Sequence, residues 1–509
     1  MADMTRTQNS IRNSSVLVIA SVISILGGYF VRVAFTHIFP DSIVGINGLF
    51  VDIIGILSLA DMGFGTAIAY ALYEPIATGN IEKQKSLMRL FRSFYRIVAA
   101  VVTVAGLVIM LFLPIIIKDK GTVEHVYIIY FLFLANSVSS YLLIYKKTII
   151  DAHQLIRIST GYSLGGLLVQ YALQLLLLLL YPNFILYLVI AIIVTVGKNY
   201  IISYKADKLY PFLKDKDVAP LAEEDKGEIT KNVKSMILHK TGNVLIGHTD
   251  NIILSAFLGL ATVGKYSNYF LLIGSVRQIF DRAFEGLAAS VGNVGATESD
   301  TMKKNIFELT FLMAAWIFGW TSITLFELLS PFVAISFGEN YVFEKHIVLI
   351  LCVNFLITGI RKPSVIFHDS LGLFWYDRYK PVAETIINIG TSLVFVQFFG
   401  TFGVFLGTLV STVATNVWIE PYVLYKYGFK SSAASYFKRY VYYLGVITLA
   451  FFATEYVCAY LLPEGGNVFT LFIRVPVVVI VPNLIFLICF GPTHTFKKLF
   501  KTVMGLFKK

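Results

Sequence analysis

Cysteine is nearly absent: the chain has three in 509 residues, Cys352, Cys458 and Cys489. All three lie in apolar runs without metal-ligand or disulfide spacing, so they read as small buried side chains. Charge is scarce too, at 14% of residues, well under the quarter or so usual in a soluble domain. No G-x-x-x-x-G-K-S/T run occurs, which excludes ATP hydrolysis by a P-loop. Asp215-Lys216-Asp217 has the outline of a D-x-D motif but falls in a charged linker. No nucleophile–base pair stands out, and the outer loops are too short to house a soluble active site. An enzyme is therefore not expected, and neither is a cofactor or bound metal. No cleavable signal peptide is visible, so the first apolar run reads as an uncleaved anchor.

What is present is greasy sequence, 57% hydrophobic. Repeated apolar runs each match a hydrocarbon core of about 30 Å. The expected fold is an all-α integral membrane protein of about 14 transmembrane helices: 15–38, 43–72, 94–117, 126–144, 158–180, 184–204, 236–260, 264–291, 307–335, 346–367, 383–400, 402–424, 440–462 and 468–490. The second, seventh and eighth would fail a hydropathy criterion because of their charges. With the amino terminus inside, 36 of the 42 Lys and Arg residues fall on the inner side and four outside. That asymmetry predicts both termini in the cytoplasm. The net charge of +11 is then an inner collar suited to anionic membrane lipids, with no implication of nucleic acid.

The hairpin from His239 to Glu285 breaks the apolar rule. It carries His239, Lys240, His248, Asp250, Lys265, Arg277, Asp281, Arg282 and Glu285 in two would-be spans. Ionisable groups in a span cost several kcal/mol unless they face protein or a watery cavity. At about 100° per residue, His239, Asp250, Asn243, Lys240 and Asn251 share one side of the first helix. Arg277, Asp281, Gly274, Glu285, Gln278 and Arg282 share one side of the second. Each helix thus has a polar face for a cavity, although Arg277, Asp281 and Glu285 could instead pair internally at i,i+4.

Elsewhere, the first span aligns Ser10, Ser14, Ser21, Ser24, Gly28 and Arg32 on one face. The small residues suit close helix packing, and Arg32 suits a pathway. The glycine-rich second span holds Asp52 and Asp61 on roughly opposite sides and reads as bendable. It leads into a basic connector expected to lie as an amphipathic helix at the inner surface. Glu308, Glu384 and Glu420 near span ends read as interfacial or capping groups, as do Arg361 and Lys362. Glu327, Glu455 and Arg474 lie deeper and stand apart. The tail from Lys497 reads as a basic surface helix.

A shift of 219 residues aligns Val44–Gly45 with Val263–Gly264, Gly55 with Gly274, Ala77–Thr78 with Ala296–Thr297 and Lys85 with Lys304. Six spans per repeat would give both halves one orientation. The expected organisation is a six-helix lobe over 1–204, a cytoplasmic linker over 205–235, a second six-helix lobe over 236–430, and an extra helix pair with a basic tail over 431–509.

The order of spans, the segment ADMGFGTAIAYALYEPIATGNIEKQKSLM and the segment GHTDNIILSAFLGLATVGKYSNYFLL resemble the bacterial polysaccharide-transport family. That family holds the Wzx-type flippases, within the larger multidrug/oligosaccharidyl-lipid/polysaccharide exporter group. The resemblance implies two six-helix lobes in a V around a cavity lined by helices one, two, seven and eight. It implies transport by alternating access of undecaprenyl-pyrophosphate-linked oligosaccharide from inner to outer leaflet, in a bacterial cytoplasmic membrane. Capsule, O-antigen or exopolysaccharide synthesis is the expected setting, with a polymerase or assembly complex as partner. Substrate would meet Arg32, Lys240, His248, Arg277, Arg282, Asn243 and Gln278. Asp52, Asp61, Asp250, Asp281 and Glu285 would balance charge or couple an ion. An ion-coupled exporter of amphipathic drugs, a membrane sugar polymerase and a silent scaffold remain alternatives.

Overall fold

The computed structural model describes residues 6–61, 64–119, 121–215, 217–297, 299–461 and 468–507, and it is all-helical over them. Contacts divide the chain into two compact units, Met1–Gly264 and Lys265–Lys509.

In the first unit, α1 is Arg6–Ile38, α2 Asp41–Leu57, α3 Phe64–Ala77, α4 Ile81–Ile116, α5 Val126–Ala152, α6 Ile156–Leu180, α7 Phe184–Leu209 and α8 Glu223–Leu258. The first turn of α9, Leu260–Thr297, completes it. Asparagine caps start two of these helices: the side chains of Asn80 and Asn183 accept from the amides of Lys83 at 3.0 Å and Leu186 at 2.9 Å. Helix α8 ends at Gly259, whose φ of +95° only glycine adopts without strain. Of the small residues expected to pack on α1, Gly28 does so. Gly27 and Gly28 lie against the ring of Tyr171 on α6, while the hydroxyls of Ser21 and Ser24 bond back to their own helix.

Two expectations change here. The second span is two helices, α2 and α3, separated by a tight turn at Ser58–Asp61. The connector after it is not a separate surface helix: its basic part is the opening of the 36-residue α4. The charged stretch after α7 is held against α4. Arg89 and Ser86 of α4 donate to the carbonyls of Val218 and Ala219 at 2.7 Å each, and Lys85 pairs with Asp215 at 2.8 Å. Helix α8 packs on α2, α3 and α4.

The second unit comprises the rest of α9, then α10 Asp300–Phe337, α11 Lys345–Ile360, α12 Lys362–Ser370, α13 Lys380–Ala414, α14 Asn416–Val423, α15 Ala434–Leu461, α16 Val468–Phe490 and α17 His494–Phe507. Gly400, with φ of +55°, kinks α13 at the point where sequence divides spans eleven and twelve. Helix α10 packs on α11 and α16, and α15 packs on α16. Phe307, Phe311, Tyr425 and Tyr436 form a fully buried aromatic centre.

Among the described residues ten helical stretches are long and apolar enough to cross a membrane, with spans eleven and twelve joined as one. The second, seventh and eighth expected spans are absent from that set. The second is broken, the seventh keeps only Val244–Leu258 as an apolar stretch, and the eighth carries the charges of α9.

Candidate functional site

Sequence points to two groups of polar residues, one in each unit. In the first, Asp52 sits one turn before the end of α2 and is 7% exposed. A carboxylate there needs donors, and α8 supplies two on one face. His248 Nδ1 lies 2.7 Å from Oδ1, and Asn251 Nδ2 donates to Oδ2 at 2.5 Å. The helices come this close because Gly55 lacks a side chain: a Cβ there would lie 2.6 Å from the His248 ring. Asp250, also buried, has interactions of its own. Arg32 is half-buried on α1.

The crossing of α2 with the α8–α9 junction is reciprocal. A Cβ on Gly45 would meet the carbonyl oxygen of Leu260 at 1.9 Å, and one on Gly264 would meet that of Asp41 at 2.9 Å. Residues 41 and 45 are 219 positions before 260 and 264, the spacing of the sequence repeat. Asp119 fastens the junction by accepting from the Leu260 amide at 2.9 Å, and Lys118 Nζ donates to the Phe257 carbonyl at 2.6 Å.

In the second unit, Arg277, Gln278 and Arg282 are exposed along α9. Arg277 Nε stands 3.7 Å from Asp281, beyond hydrogen-bond length. Asp281 takes Lys362 instead, at 2.6 Å. Lys362 is a partner that sequence reasoning missed, since no local signal links positions so far apart. The internal i,i+4 pairing of α9 is therefore weak, and the donor fork of Arg277 is not consumed by Asp281. The side chains of Asp61, Lys240, Asn243 and Glu285 lie outside the described residues.

Next to Lys362, a second network corrects the interfacial reading of Arg361, Glu384 and Glu420. Glu420, with a side chain 4% exposed, receives Arg361 at 2.7 Å and 3.1 Å, and Lys380 at 2.5 Å. Lys380 also reaches Asp377 at 3.0 Å. Glu384 accepts from Asn416. These groups are buried and mutually paired, so they hold helices together. Arg439 is likewise paired with Glu308.

No family model matches this chain, and no curated protein matches it by sequence. Solved structures do match in fold. The lipid II flippase MurJ, in an inward closed conformation, superposes with a TM-score of 0.65 at 14% identity, over 92% of this chain and 97% of its own. The chain has that fold. An inward-facing multidrug resistance MATE family transporter of the MOP superfamily gives 0.58 at 14% identity, over 78% and 95%. A MATE structure in complex with MaD5 gives 0.53 at 16% identity, over 81% and 94%.

Proposed function

We propose that this protein is a flippase that moves undecaprenyl-pyrophosphate-linked oligosaccharide from the inner to the outer leaflet of a bacterial cytoplasmic membrane. Two six-helix lobes would alternate access to a polar cavity, and the terminal pair α15–α16 would stand outside the repeat. The observation that carries the reading is the extent of the MurJ likeness. It takes in 92% of this chain, against 78% and 81% for the two MATE structures, and a lipid-linked substrate suits that fold. The chemistry agrees. A pyrophosphate forms strong charge-assisted bonds with guanidinium groups, and Arg277, with Gln278 and Arg282 beside it, is exposed and incompletely paired. Arg32 is the corresponding cation of the first unit. Both termini would lie in the cytoplasm, and a polysaccharide polymerase or assembly complex would take the product.

Leaflet-resolved detection of lipid-linked oligosaccharide tests this directly. Arg32→Glu and Arg277→Glu should each cut outer-leaflet product about tenfold or more, the scale of one lost charge-assisted bond, at unchanged protein abundance. Full export in both variants would refute the assignment. The Asp52–His248–Asn251 cluster and the MATE likeness favour a second reading, an ion-coupled exporter. That reading requires altered drug tolerance in cells lacking other pumps, with no accumulation of lipid-linked sugar.

A further inference from the structure

Between α12 and α13, residues 374–380 expose a set of aromatic rings around one guanidinium. The one acid of this segment, Asp377, is buried and turns inward to Lys380 at 3.0 Å. Trp375 and Tyr379, to either side of it, are 69% and 71% exposed. Arg378 lies against both rings, its guanidinium carbon 4.0 Å from the centre of Trp375 and 4.7 Å from that of Tyr379. Its Nη1 donates to the Trp375 carbonyl at 2.9 Å. Tyr376 stacks on Tyr427, with ring centres 3.8 Å apart and 12° between the planes. Lys426 Nζ stands 5.3 Å from the ring centres of Tyr422 and Tyr427 and donates to the Tyr422 hydroxyl at 3.1 Å. Two cations, each held over aromatic rings, thus flank one stacked pair.

The path of the chain puts both cations at one end of the fold. The apolar stretch Lys380–Gly428 is long enough to cross a membrane twice and is kinked at Gly400, so its ends return to the same side. Arg378 stands just before the first crossing and Lys426 at the end of the second. Tyr379, Val382 and Ile386 recur at i, i+3 and i+7, one helix face, and all three are exposed. Trp418, Tyr422 and Lys426 recur at i, i+4 and i+8 on the returning arm and are exposed too. Each row starts among apolar or aromatic groups on a crossing helix and ends at a cation, Arg378 over Tyr379 and Lys426 over Tyr422. That is the level of phospholipid headgroups, where Trp and Tyr are enriched.

A phosphodiester supplies what this surface lacks. Neither cation is paired with a carboxylate among the described residues; their hydrogen bonds go to a carbonyl and a phenol. The planar fork of Arg378 gives one N–H to that carbonyl and stacks on rings, which leaves donors along its edge for oxygen acceptors. Lys426 adds a second charge. We propose that the Trp375–Arg378–Tyr379 and Tyr422–Lys426–Tyr427 stacks form a headgroup site for an anionic phospholipid, with phosphate at the two cations and acyl chains along Val382 and Ile386. A soluble partner protein would not account for rows that run on into the hydrocarbon layer. Bound lipid moors the turn between α12 and α13 to one leaflet. The site goes beyond the proposed transport reaction, and its test needs no transported substrate, so either idea can fail alone.

The test is native mass spectrometry of delipidated full-length protein in detergent, titrated with phosphatidylglycerol or with phosphatidylcholine. The wild type should bind phosphatidylglycerol more tightly. Arg378→Gln and Lys426→Gln should each weaken that binding about fivefold, the scale of one basic residue at an anionic surface, and leave phosphatidylcholine binding unchanged. Trp375→Ala keeps the charge and removes the platform under it, so it should weaken phosphatidylglycerol binding as well. Lys208→Gln, which removes an exposed lysine of α7, should change nothing. Equal affinity of the wild type for the two lipids overturns the site. So does undiminished phosphatidylglycerol binding in both site variants, or an equal loss in Lys208→Gln. Should Arg378→Gln fail to fold, Lys426→Gln and Trp375→Ala still decide, because full binding in both overturns the site.

Discussion

Replacing Glu420 by Gln should unfold the second unit at markedly lower temperature. The carboxylate is the common partner of Arg361 and Lys380, whose side chains are 16% and 11% exposed. The amide keeps the shape and removes the charge, leaving two buried cations. Breaking one member of a buried ion pair costs about 3–5 kcal/mol. The lower end applies, because Lys380 retains Asp377 at 3.0 Å. For a unit of this size, about 3 kcal/mol corresponds to roughly 6–12 °C in Tm. Thermal unfolding of the purified protein in detergent reads this directly. The double change Arg361→Met with Glu420→Met should cost less than Glu420→Gln, since it removes charge from both sides. A shift under about 2 °C for Glu420→Gln, or a double variant less stable than the single, would refute the reasoning.

Two further outcomes follow from geometry. Gly45→Ala drives a methyl to 1.9 Å from the Leu260 carbonyl oxygen, backbone against backbone, and should cost about 3 kcal/mol, the top of the usual overpacking range. Gly161→Ala, with nothing within 4 Å of its Cβ, should be neutral or stabilising in the same unfolding assay; equal loss in both would sink the account of the crossing. Burial pushes the Asp377 carboxyl up, but contact with His368 and Lys380 outweighs it and holds the group below its ordinary 3.8. A depressed carboxylate contributes stability above that value and loses it as pH falls through the lower folded value. Unfolding followed against pH should therefore show an acid limb below about 3.8 that Asp377→Asn flattens.

Helix type and position were legible because a bilayer demands long apolar runs, and the kink at Gly400 lies where the sequence divides spans eleven and twelve. The second span was less legible. Its glycines signalled a bend, but nothing in their spacing says whether a helix curves or stops, and it stops at Ser58. The polar residues of α9 were visible as a face, and Asp52 as an isolated acid. Their partners Lys362, His248 and Asn251 come from distant chain segments, which periodicity cannot pair. Glu420 was misread because proximity to a span end suggests water, whereas Arg361 and Lys380 close over it. Glu327, Glu455 and Arg474 stood out individually by depth, and only the packing of α10 on α16 brings Arg474 within 3.9 Å of Glu327.

Helix α4 has 36 residues and α10 has 38, so at 1.5 Å per residue they run to roughly 54 and 57 Å. A hydrocarbon slab near 30 Å leaves about twenty ångströms or more of each protruding as a rigid stalk. On α4 the surplus carries Lys85 and Arg89, which tether the strap before α8. Such a stalk works as a depth gauge: its charged collar cannot sink into oil, so the unit's height in the bilayer is fixed by a single continuous rod.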